Sequence, residues 1–206
     1  METNPERDAL FAEIKKELCA GAIKFLEFLA RDHPGETLYS FMFMLSPVDN
    51  FALAVAGSIE ALDRTAEQYA ESGYQVSVGE PIEVLRESLK WLYVEDFWFG
   101  QDGDFCDEAG KLFETAIEKE FIKRGDGQAP GLCVAALKEM DAAGNFGSGA
   151  ARAQIVLGLS YGMADGEDFL KWADELNPPQ VVARLKQEIE AGRAANLLLE
   201  SPWKDQ

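Results

Sequence analysis

Between Arg7 and Asp32, apolar residues recur at three- and four-residue steps: Leu10, Ile14, Leu18, Ala22, Phe25 and Leu29. Phe11, Ile23 and Leu26 widen the stripe, which predicts a helix packed on a broad core face. His33-Pro34-Gly35 ends it, because the residue before a proline avoids the α region and glycine tolerates the turn out of the helix. Residues 38–45 are apolar on both faces of an extended run, the signature of a central strand covered from two sides. A second strand is predicted over 51–56 after a turn at 46–50. Ser58 then caps a helix over 59–72 that Gly73 stops.

Residues 85–98 fit two patterns. Trp91, Tyr93, Phe97 and Trp98 favour a strand, whereas residues 83–90 suit the opening of a helix. From Asp104 or Cys106 to Arg124 the apolar positions Leu112, Phe113, Ala116, Ile117 and Phe121 share one helical side. After a loop at 125–128, Pro130 starts a helix that ends at Gly144. A strand over 155–161 comes next, then a helix over 165–174, and Pro178-Pro179 opens a last helix with Asn177 as its cap. The order predicts an α+β fold, a small, mainly antiparallel sheet covered by several helices. No repeat or long linker interrupts it, so residues 1–206 read as one domain, with a loose tail at 201–206.

Three stretches stand out together: Leu38-Tyr39-Ser40-Phe41-Met42-Phe43; residues 136–147 with Arg152 and the apolar run 155–159; and Leu176-Asn177-Pro178. Their order and spacing resemble a bacterial family known as domain of unknown function 4303, over residues 36–190. The resemblance implies an architecture and brings no activity with it.

Charge narrows the function more than any motif. Thirty-seven acids against 19 bases leave a net charge of −18. Such a surface repels phosphate backbones and anionic membranes, so neither nucleic acid nor membrane is an expected partner. Either the charge serves solubility or it steers a basic protein partner. The N-terminus has no basic segment followed by an apolar core, and no stretch has the length of a membrane helix. Cys19, Cys106 and Cys133 are odd in number and widely spaced, which fits a reduced, cytoplasmic compartment.

Catalytic constellations are hard to assemble. His33 is the only histidine, and it sits at a helix end, which excludes zinc sites built on several histidines. Gly144-x-x-Gly147-x-Gly149 comes after a helix and before a strand, the reverse of a phosphate loop. Gly144 is instead expected as a left-handed helix terminator with Phe146 folding back, and Arg152 as a partner of Asp141 or Glu139. Cys19 and Cys133 fall on helical core positions, while Cys106, near a helix start, is expected to be more exposed.

The acids Glu95, Asp96, Asp102, Asp104, Asp107 and Glu108 interleave with Phe97, Trp98, Phe99 and Phe105. The spacing lacks the glycine and bidentate glutamate of an EF-hand loop, so no metal or cofactor is predicted. Aromatic anchors inside a charged rim suit a docking surface for a basic protein. The candidate protein-binding residues are Glu95, Asp96, Trp98, Asp102, Asp104, Asp107 and Glu108. The chain thus reads as a binding protein rather than an enzyme, in one form an immunity-type protein that neutralises a basic toxin. Two alternatives stand beside it: a small-ligand binder or enzyme with a pocket at Asp141 and Arg152, and a structural homo-oligomer.

Overall fold

A computed structural model of the chain describes residues 4–45, 52–72, 81–92, 98–99, 105–123, 126–161 and 166–200. The first helix, α1 (Pro5–Asp32), starts two residues before the apolar stripe. There the Asn4 side chain accepts from Arg7 N at 3.1 Å and Pro5 occupies the first turn. Strands β1 (Leu38–Leu45) and β2 (Ala52–Ser58) come next, then helices α2 (Ile59–Ser72) and α3 (Ile82–Leu92). Ser58 is both the last residue of β2 and the cap of α2, its Oγ accepting from Ala61 N at 3.0 Å.

The ambiguous 85–98 stretch divides in two. Its amphipathic first part is α3, and only Trp98–Phe99 pairs as the short strand β3. Helix α4 (Asp107–Glu118) is shorter than the predicted 105–124 helix: Glu120, at φ 58°, turns the chain out of helical geometry. Helix α5 (Gln128–Ala142) has Pro130 in its first turn. A short helix that the sequence pattern does not predict, α6 (Gly149–Gln154), then precedes strand β4 (Val156–Tyr161) and carries Arg152. Helices α7 (Gly166–Leu176) and α8 (Pro179–Glu200) complete the described chain.

The sheet order is β3-β2-β1-β4. β1 pairs antiparallel with β2 and β2 antiparallel with β3, while β4 runs parallel to β1. Helices cover both faces. Phe41, Phe43 and Leu45 point into a core shared with Ile14, Leu18, Phe25, Phe113 and Leu137 of α1, α4 and α5. Met42 points into a second core with Leu62, Leu85, Trp91 and Leu185 of α2, α3 and α8. A parallel strand covered on both faces should be apolar throughout, and residues 156–160 of β4 are all buried. Each fully buried Phe or Leu contributes about 1.5–3 kcal/mol through burial, so the two faces of β1 hold the layers together.

One irregularity redirects a side chain. Leu38 pairs with Ser58 but Ser40 with Gly57, so Tyr39 is an extra residue on β1. Strict alternation would send Tyr39 toward Phe41 and Phe43; the bulge turns it into the second core beside Trp91. Gly57 leaves the space this needs, since a Cβ there would stand 2.6 Å from Ser40 Oγ and 3.0 Å from the Tyr39 hydroxyl oxygen.

Candidate functional site

The last turn of α5 closes as a paired hydrogen-bond motif. Asn145 N donates to Met140 O at 3.1 Å and Gly144 N to Asp141 O at 3.0 Å, with Gly144 at φ 81°. Only glycine adopts that conformation without penalty, so the turn fixes where the helix stops. The chain then folds back, and Phe146 is buried against Phe41 of β1 at 5.0 Å between ring centroids. The glycine pattern therefore builds a helix terminus, and a six-residue helix comes after it.

That turn brings Arg152 under Asp141. Arg152 is 7 % exposed, and its guanidinium joins three parts of the chain. Nε donates to Asp141 Oδ1 at 2.6 Å, one terminal nitrogen to Ile155 O at 2.6 Å, and the other to Leu176 O at 3.0 Å. The second of these nitrogens also stands 3.5 Å from Asn177 Oδ1. Glu139, the other expected partner, instead pairs with Lys15 of α1 at 2.6 Å. Arg152 thus ties the end of α5, the start of β4 and the end of α7 together. A buried guanidinium is stable only with such a set of acceptors.

Asn177 acts on the sheet and not on the helix after it. Its amide nitrogen donates to Leu157 O and its oxygen accepts from Leu157 N, both at 2.8 Å. The nitrogen also reaches Ala173 O at 3.3 Å. One side-chain amide thereby supplies β4 with the donor and acceptor that a neighbouring strand would give. Helix α8 begins instead on Pro178 O, which accepts from Val181 N and Val182 N at 2.9 and 3.1 Å. The three stretches that stand out in the sequence meet here: Phe41 against Phe146, Arg152 on Asp141, and Leu176-Asn177 on Arg152 and β4.

Beside this junction lies an open depression of about 520 Å³ that includes Lys138, Asp141, Ser148, Arg152, Glu175 and Gln180. Asp141 and Arg152 are brought together as predicted, but chiefly as each other's partners. Lys138 and Glu175 pair across its rim at 2.7 Å and are half exposed, so that bridge adds little stability.

The acid-aromatic segment is described in part. Glu95, Asp96, Asp102 and Asp104 lie outside the described residues. Trp98 contributes backbone pairing to Gly57 of β2. Asp107 and Glu108 are exposed in the first turn of α4, where no side chain caps the helix and their charge favours its free N–H groups. They border a groove of about 580 Å³ between α1 and the start of α4, with Glu17, Glu27, Lys24 and Arg31 around it. Its apolar part is Phe28 and Phe105, whose rings are 5.4 Å apart. Gly21 permits the close approach of the two elements, because a Cβ there would lie 2.3 Å from Phe105 O.

Cys106 is buried, not exposed, and burial pushes its thiol up to about 12. Cys133 is likewise buried, and Cys19 is partly covered with its Sγ 3.7 Å from Ala136 O. His33 caps α1 and meets the Phe28 ring edge-on at 5.5 Å. Among the described residues no group of three or more His, Cys, Asp or Glu is placed to hold a metal ion. No described helix is long and apolar enough to cross a membrane.

Searches of curated proteins and of solved structures gave no significant match. A family profile matches residues 20–178, from the middle of α1 to the Asn177-Pro178 junction. That span contains the sheet, the α5 terminus, Arg152 and the amide on β4. The chain belongs to the family described as domain of unknown function DUF4303.

Proposed function

We propose that this chain is a protein-binding module that docks a basic partner over the groove between α1 and α4, in the concrete form of a cytoplasmic immunity-type protein that neutralises a basic toxin. The observation that carries it is the groove itself, where Phe28 and Phe105 lie among four carboxylates, Glu17, Glu27, Asp107 and Glu108, against two cations, Lys24 and Arg31. Arg31 stands over the Phe28 ring at 6.0 Å, and the excess of acids around the aromatic pair suits a basic side chain of a partner that pairs with the carboxylates. The net charge of −18 adds long-range attraction toward such a partner. The small-ligand reading at Asp141 and Arg152 has less support, because the guanidinium already serves acceptors of the chain itself.

The test uses the product of a neighbouring gene that encodes a basic effector domain. Stopped-flow association should slow about tenfold or more between low and high salt. Reversing charge at Asp102, Asp104, Asp107 and Glu108 together should slow it by a similar factor. An association rate that ignores both salt and this charge reversal refutes the docking surface. Sedimentation at two protein concentrations tests the competing homo-oligomer.

A further inference from the structure

We draw no further inference here: the strongest candidate, the apolar cavity of about 310 Å³ where the end of α1 meets the start of β1, with Leu26, Leu29, Pro34 and Leu38 in its walls, carries none, because nothing in the structure shows what covers it.

Discussion

Replacing Asn177 by alanine removes the one side chain that pairs with both backbone groups of Leu157. Both bonds are 2.8 Å long, and Leu157 is fully buried, so water does not replace the lost partners without rearrangement. Each buried backbone group left without a partner costs about 1–3 kcal/mol. Two such groups give a destabilisation of roughly 2–6 kcal/mol, a large part of the ~5–15 kcal/mol that holds a typical domain together. With a urea m-value of about 2–3 kcal/mol/M, the unfolding midpoint should fall by roughly 1–3 M. Urea titration followed by circular dichroism reads this directly. Asn177→Asp sharpens the test. Its carboxylate still accepts from Leu157 N but turns negative charge on Leu157 O and Ala173 O, so at pH 7 this variant too should be less stable than the parent chain. An alanine variant within 0.5 kcal/mol of the parent (about the ordinary scatter of surface substitutions) refutes the claim that this amide closes the edge of β4.

Arg152→Met should cost about 3–5 kcal/mol, because Asp141, Ile155 O and Leu176 O lose their donor together; chemical denaturation measures it. Arg152→Lys should recover only part, since an ammonium cannot span three directions in one plane. Gly21→Ala should lower Tm by roughly 3–10 °C, the equivalent of about 1–3 kcal/mol of overpacking, because its Cβ would lie 2.3 Å from Phe105 O. Gly131→Ala, an exposed helical site with nothing within 4 Å of its Cβ, should raise Tm in the same calorimetric scan. Cys106, with its thiol pushed up to about 12, should be alkylated at pH 8 at least a hundredfold more slowly in the folded chain than in urea. Mass spectrometry after timed iodoacetamide quenching tracks each cysteine separately, and equal rates in the two states would contradict the burial.

The parts of the fold visible in the sequence are those with a sustained period. α1 and β1 announce themselves because the stripe of Ile14, Leu18, Ala22 and Phe25, and the run of Leu38–Leu45, apolar on both faces but for Ser40, admit few alternatives. α6 carries no such signal, since GAARAQ is too short to show one apolar face. The 85–98 stretch misleads because a helix and the strand β3 sit close together in one aromatic-rich segment. At the site, the pairing of Arg152 with Asp141 is legible, since a glycine turn between an acid and an arginine brings the two side chains within reach. The role of Asn177 is not, because an asparagine before two prolines looks like a helix cap while its actual partner is 20 residues away. The orientation of Tyr39 is equally hidden. A run that is apolar on both faces gives no sign that one residue has been inserted, so the bulge leaves no trace in its alternation.

The parallel pairing of β1 with β4 has a consequence for how the chain is made. β1 leaves the ribosome early, and β2 pairs with one of its edges almost at once. Its other edge stays open until residues 156–161 have been translated, on the order of 10 s later at typical synthesis rates. Throughout that interval an apolar strand with Phe41, Met42 and Phe43 offers unpaired backbone to any extended segment nearby. A transcript cut short before Val156 would yield a chain that keeps this edge permanently, and such fragments should precipitate or be captured by chaperones while the full-length chain stays dissolved. Arg152 precedes β4 and Asn177 follows α7, so the clasp that secures the last strand is completed only once the next helix has been made.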